Sequence, residues 1–206
     1  LADGIFQNQS EVNNHATQPN AQPGDIRFVD VNGDGIINAD DRTKIGDPFA
    51  DFSIGWNFNL NVYNFDLSVT TYGTFGNDIF RGYERNLNYT NKPVSVLARW
   101  TGEGTSNFEP RATFIDSNNN VRPSTRYVED GSYFKIKNVQ LGYNFNVSNS
   151  KNLDAVRLYL QGKNLMTFTD YTGYDPEMSY GVLDTGIDRG NYPSPRTVSV
   201  GLNVKF

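Results

Sequence analysis

The feature that most restricts this chain is the length over which apolar and polar residues alternate with a period of two. From Phe52 to Val62 every even position is apolar (Phe52, Ile54, Trp56, Phe58, Leu60, Val62), with Ser53, Gly55, Asn57, Asn59 and Asn61 between them. From Leu67 to Phe75 the apolar residues Leu67, Val69 and Phe75 stand against Asp66, Ser68, Thr70 and Thr74. A third run, Phe134, Ile136, Val139, Leu141, Tyr143, Phe145 and Val147, changes parity near Asn138, which predicts a β-bulge. Val156, Leu158, Leu160, Met166 and Phe168 share one parity, interrupted by Gly162 and Asn164. In the last run Val198, Val200, Leu202, Val204 and Phe206 alternate with Ser199, Gly201, Asn203 and Lys205. Successive side chains of a strand point to opposite faces, so each run predicts a strand with one apolar and one polar face.

Such runs reach the roughly 9–11 residues that a membrane-spanning strand needs, whereas strands of soluble proteins centre on about 5–6. The links alternate in length. Tyr63-Asn64 and the segment from Ser148 to Asn152 are short, and 76–131 and 170–195 are long. Compact soluble domains seldom carry structureless connections beyond about 15 residues; outer-membrane barrels pair short turns with long loops. The expected fold is therefore all-β, the C-terminal part of a large antiparallel transmembrane β-barrel. Five strands are fewer than the about eight of the smallest barrels, so the remaining strands are expected upstream of Leu1. With residue 206 on the periplasmic side, counting back places 1–49, 76–131 and 170–195 outside the cell, and 50–206 carries the strands. Aromatic residues at strand ends (Tyr63, Phe65, Phe145, Phe168, Tyr171, Phe206) are expected in interfacial girdles.

Other classes are disfavoured. The chain has no cysteine, which removes disulfides and thiolate metal sites, and a net charge of -5 argues against a nucleic-acid partner. No apolar run approaches the about 18 residues of a transmembrane helix. The single histidine, His15, lies in Asn-Asn-His-Ala-Thr and is expected to be a solvated loop residue. Without a second histidine or a cysteine, a His-dependent triad or a zinc site has little to build on, and no enzyme activity is expected. The N-terminus lacks a signal-peptide pattern, so an exported protein would be represented here by a piece.

One local motif carries chemistry. Asp30-Val-Asn32-Gly-Asp34-Gly35-Ile36-Ile-Asn38-Ala-Asp-Asp41 places oxygen-bearing side chains at loop positions 1, 3, 5 and 9, a backbone carbonyl at Ile36, glycine at position 6 and a carboxylate at 12. A hard cation takes six to eight such oxygens, and the glycine permits the sharp turn. Structural Ca2+ held by Asp30, Asn32, Asp34, Ile36, Asn38 and Asp41 is the expectation; a series of Asx turns without an ion is the alternative. Asp at position 12 resembles dockerin-type loops, although no second such loop follows. Lys135, Lys137, Arg157, Lys163 and Lys205 fall at polar-face positions; ordinary solvation in the lumen is the expectation for them, and a positive lumen wall for the plug or an anionic solute is the alternative. Phe80, Tyr83, Tyr89, Trp100, Tyr174 and Tyr180 could stack on sugar rings or pack the loops.

Several stretches together resemble one family. Residues 23–46 (Pro-Gly-Asp-Ile-Arg-Phe-Val-Asp-Val-Asn-Gly-Asp-Gly through Lys-Ile-Gly), Arg99-Trp100, Gly131-Ser-Tyr-Phe-Lys-Ile-Lys-Asn-Val-Gln-Leu-Gly-Tyr143, Gly173-Tyr-Asp-Pro-Glu177 and Tyr192-Pro-Ser-Pro-Arg-Thr-Val-Ser through Phe206 are similar to SusC-type TonB-dependent transporters of Gram-negative outer membranes. The resemblance implies a plugged barrel of about 22 strands. It also implies drive from the TonB–ExbB–ExbD complex through a region this chain lacks, and a SusD-like lipoprotein lid. Import of glycans or peptides, and a terminal Phe206 read by the outer-membrane barrel assembly machinery, are implied as well. The rival readings are a siderophore or cofactor receptor without a lid, and a soluble dockerin-like module.

Overall fold

The computed structural model describes residues 1–85, 94–147, 153–178, 181 and 184–206. Its strands are β1 (Ala2–Ile5), β2 (Ile26–Phe28), β3 (Phe52–Val62), β4 (Phe65–Phe75), β5 (Asp78–Arg81), β6 (Val128–Asp130), β7 (Tyr133–Phe145), β8 (Ala155–Thr169), β9 (Ile187–Asp188) and β10 (Thr197–Lys205); one short helix, α1, covers Gln9–Asn14. The chain forms two compact units, one of 1–47, 80–128 and 187–189, the other of 48–79, 129–186 and 190–206.

The second unit contains all five alternating runs as one antiparallel sheet in the order β10-β8-β7-β4-β3. β3 and β4 are joined by the two-residue turn Tyr63-Asn64, with Tyr63 in the left-handed region (φ 53); the short turn expected at 148–152 lies outside the described residues. Pairing is continuous, with Leu60 opposite Leu67, Leu67 opposite Leu141, Leu141 opposite Leu160 and Leu160 opposite Val200. The expected bulge is present. Thr70 pairs with Asn138 and Thr71 with Ile136, so Lys137 is the extra residue. On the other side the register jumps from Ile136–Met166 to Asn138–Lys163, where Asn164 has φ 50.

In-register alternation gathers the apolar side chains of all five strands on one face, and among the described residues nothing covers it. Val200 is 72% exposed, Phe52 58%, Leu160 50% and Leu141 46%. A soluble monomer rarely shows an apolar patch beyond a few hundred Å². β3 has 11 residues; at roughly 3.3 Å per residue and a tilt of about 40°, its apolar stripe stands about 25 Å tall, the height of an outer-membrane barrel's lipid-facing band. Aromatics gather at both strand ends. Phe52 stacks on Phe75 (5.0 Å) and Phe134 lies 6.5 Å from Phe168, while Phe65, Tyr143 and Phe145 meet edge-on at the turn end. Tyr171, expected in this girdle, is instead buried at 5% exposure.

The first unit replaces much of what the sequence suggested as open loop. β1 pairs with β2, and Ile26, Phe28 and Ile37 form a small apolar core. The free side of β2 is closed by amide side chains in place of another strand. Gln18 donates to the Ile26 carbonyl and accepts from Phe28 N–H; Asn118 donates to Ile26 O, and Asn120 accepts from Ile26 N–H at 2.8 Å. Buried backbone groups need partners, so Gln18, Asn118 and Asn120 are structural. Fully buried Asp25 binds Arg111 (2.7 and 3.3 Å), Asn120 Nδ2 and Gln22 N–H. His15 is not simply solvated: its Nε2 lies 2.8 Å from the Phe28 carbonyl and its ring meets Phe6 edge-on.

Candidate lumen wall and cation loop

The polar face of the sheet is the partner of the apolar one, because every residue between two apolar positions points the other way. Asp66 on β4 and Arg157 on β8 flank β7 and reach over it. Arg157 Nε donates to Asp66 Oδ1 at 2.9 Å, Nη2 donates to Oδ2, and Asn144 Nδ2 donates to Oδ1 at 3.0 Å. Residue 142, opposite Asp66 and beside them, is glycine; a Cβ there would lie 2.5 Å from Asp66 Oδ1 and 2.6 Å from Arg157 Nη2. Gly142→Val is expected to part the pair and to cost about 1–3 kcal/mol through overpacking, measured as a lower urea midpoint of the folded protein in vesicles.

A second charged group lies at the other end of β7. Lys135, 1% exposed, donates through Nζ to Asp175 at 2.9 and 3.2 Å and to Glu177 at 2.8 Å, and Lys137 donates to the other Glu177 oxygen. Asp175 also accepts from the backbone N–H groups of Glu177 (3.0 Å) and Ser194 (3.1 Å). Burial acts to raise both carboxyls, but the Lys135 hydrogen bond, joined by backbone donors at Asp175 and by Lys137 at Glu177, holds each below its ordinary value of 3.8 or 4.5. A carboxyl with a lowered folded pKa stabilises fully above its unfolded value and loses that contribution as pH falls through the folded one. Thermal stability of the folded protein is thus expected to be flat down to pH 4.5 and to fall at more acid values; a midpoint that rises there would contradict it.

These contacts disfavour the alternative of a positive wall and differ from simple solvation for three of the five cations. Lys135, Lys137 and Arg157 are neutralised by Asp175, Glu177 and Asp66, Lys205 stands 3.8 Å from Asp154 in solvent, and Lys163 is exposed. The aromatics divide. Trp100 donates to Gln7 Oε1 and its ring covers Gly24, and Phe80 meets Tyr127 edge-on, so both pack the loops. Tyr174 is 71% exposed, Tyr83 is half-buried, and Tyr89 and Tyr180 lie outside the described residues.

The loop from Asp30 to Asp41 is a chain of Asx turns anchored by buried Ile37. Asp30 accepts from Gly33 and Gly35 N–H (both 2.7 Å), Asn32 from Asp34, Asp34 from Ile36, Asn38 from Asp40, and Asp41 from Val31 and Asn38. Gly33 and Gly35 have positive φ with open space around them. The Asp41 carboxyl is held below its usual range, chiefly by the Asn38 N–H, with burial opposing and Val31 N–H and Asp30 assisting. Positions 1 and 12 therefore converge and the loop is rich in oxygen. Asp34 is turned to Ile36 N–H and Asn32, and among the described residues no three His, Cys, Asp or Glu side chains cluster as a metal site.

No family model matches the chain. It is 36% identical over 98% of its length to TonB-dependent receptor P3 of Formosa agariphila, and 36% identical, again over 98%, to receptor P26 of the same organism. It is 27% identical over 98% to TonB-dependent receptor SusC of Bacteroides thetaiotaomicron. The chain carries the sequence and the barrel fold of SusC-type TonB-dependent receptors. It spans about a fifth of those relatives' length (21%, 22% and 20%). The structure of the RagAB peptide importer in the 'closed-closed' state superimposes on all of the chain with a TM-score of 0.72 at 20% identity, over 22% of that importer's chain. The SusC-type stretches that stood apart in sequence meet in space: Lys135 and Lys137 come from one, Asp175 and Glu177 from a second, Ser194 from a third. Asp66, Asp175 and Glu177 were missed as partners, although Asp175 and Glu177 lie in a stretch singled out for its resemblance.

Proposed function

We propose that the chain is the wall and loops of an outer-membrane, TonB-dependent nutrient importer of a Gram-negative bacterium, taking up glycans or peptides beneath a SusD-like lipoprotein. A two-faced sheet carries this reading: its apolar face is about 25 Å tall, suited to lipid, and its polar face is charge-compensated, suited to a solute passage. The 36% identity to TonB-dependent receptors supports it. In the whole receptor, of about 22 strands, TonB–ExbB–ExbD would act through a plug outside this chain, and the barrel assembly machinery would insert the strands. Purification of the whole receptor from outer membranes should bring down a stoichiometric lipoprotein, and uptake should stop in a TonB deletion. Binding of a ferric siderophore by a receptor without that partner would replace this reading with the siderophore or cofactor one.

The loop of Asp30, Asn32, Asp34, Ile36, Asn38 and Asp41 is proposed to hold structural Ca2+. The ion would supply a fixed positive centre, and these oxygens would turn from backbone N–H groups to the ion. Calcium titration of the receptor should show one site with a Kd of about 0.1–1 mM, the range of extracellular modules. Asp34→Ala should abolish it while leaving the folded barrel intact. An ordered loop that takes up no calcium at 10-fold higher concentration would leave the Asx turns alone responsible.

A further inference from the structure

The segment that follows β8 does not stand away from the sheet. It is stitched to it at successive points. Thr172 binds Glu129 of β6, just ahead of β7, through both its N–H (2.8 Å) and its hydroxyl, Asn164 Nδ2 of β8 donates to Pro195 O at 3.1 Å, and Asp175 accepts from Ser194 N–H, which ties the outgoing limb to the returning one. Lys135, Lys137, Asp175 and Glu177 then lock the outgoing limb to the polar face of β7. A cavity of about 450 Å³ remains open between limb and wall, with Thr167, Asn164 and Arg196 on its lining. Lys135, with 1% exposure in a polar-face position, is held by these two carboxylates and lies 5.8 Å from the centroid of the Tyr133 ring. Parting the segment from β7 would break both of these charge-assisted hydrogen-bonded pairs at once, which favours the locked state.

We infer that this segment is a fixed strap and not a moving lid: the Lys135–Asp175–Glu177 clasp holds it against the wall, where it permanently narrows the passage. The inference rests on the reading of the polar face as the passage side, although the clasp itself does not. A gate that opened here in each cycle would have to part both lysines of β7 from both carboxylates of the limb.

Hydrogen–deuterium exchange of residues 172–178 in the whole receptor tests it. The wild-type segment should exchange far more slowly than an unstructured peptide. Lys135→Met combined with Asp175→Asn and Glu177→Gln removes the three clasp charges and leaves only Lys137, about a third exposed, without its carboxylate; it should speed exchange there by at least about tenfold with the folded barrel retained. Lys137→Gln, which leaves both Lys135 contacts in place, should change it by less than about threefold. Wild-type exchange at the unstructured rate, or a triple variant that exchanges like the wild type, would overturn the strap. Loss of uptake in the wild type would count against the importer reading and leave the exchange result standing.

Discussion

Val200→Arg is expected to cost the folded barrel about 2–4 kcal/mol in lipid, a shift of roughly 30- to 900-fold in the folding equilibrium. Val200 sits mid-strand on β10, pairs with Leu160 and is 72% exposed on the apolar face. A guanidinium there would meet hydrocarbon. Ser199→Arg, one residue away on the polar face, should cost less than about 1 kcal/mol because its charge faces water. Urea unfolding in phospholipid vesicles reads both. Equal penalties, or a tolerated Val200→Arg, would remove the lipid-facing assignment of the whole sheet.

Asp25→Ala is expected to loosen the unit of residues 1–47 and 80–128 by about 3 kcal/mol. Asp25 has no exposed surface and accepts hydrogen bonds from Arg111, Asn120 and Gln22, so its loss leaves a guanidinium and an amide without their acceptor. The figure is at the low end for a broken buried pair because Arg111 keeps 23% of its surface in water. Asp3→Ala breaks only the exposed pair with Arg27 and should cost less than about 1 kcal/mol. Limited proteolysis within 100–125 should accelerate in the first variant and not in the second. Resistance of Asp25→Ala to protease would show that the apolar core of Ile26, Phe28 and Ile37 holds the unit without the polar network.

The strands were legible because alternation is a local property. Residue 52 to residue 62 reads as a strand without knowledge of any partner, and Asn138 announced its bulge by a change of parity. Partners across the sheet were not legible. Nothing near Lys135 in sequence names Asp175, 40 residues on, and nothing near Asp66 names Arg157, 91 residues on. The same limit hid the first unit. Asn118 and Asn120 read as loop residues, whereas they act as the missing neighbour of β2. The cation motif was legible in composition and spacing, yet the rotamers that turn Asp30 and Asp34 toward N–H groups depend on the folded turn.

The bridge of Asp66 and Arg157 over Gly142 bears on how the strands find their alignment. Alternation forbids a slip of one residue, since that would carry every apolar side chain to the wrong face. A slip of two preserves the faces and escapes that control. Moving β7 by two residues against its neighbours would bring Gln140 or Asn144 beneath the bridge, and either would drive a Cβ into the space that only residue 142 leaves empty. A hydrogen atom in place of a side chain at residue 142 thus lets the bridge close only in the native alignment, and each of the two nearest decoys would have to push the Asp66 and Arg157 side chains apart.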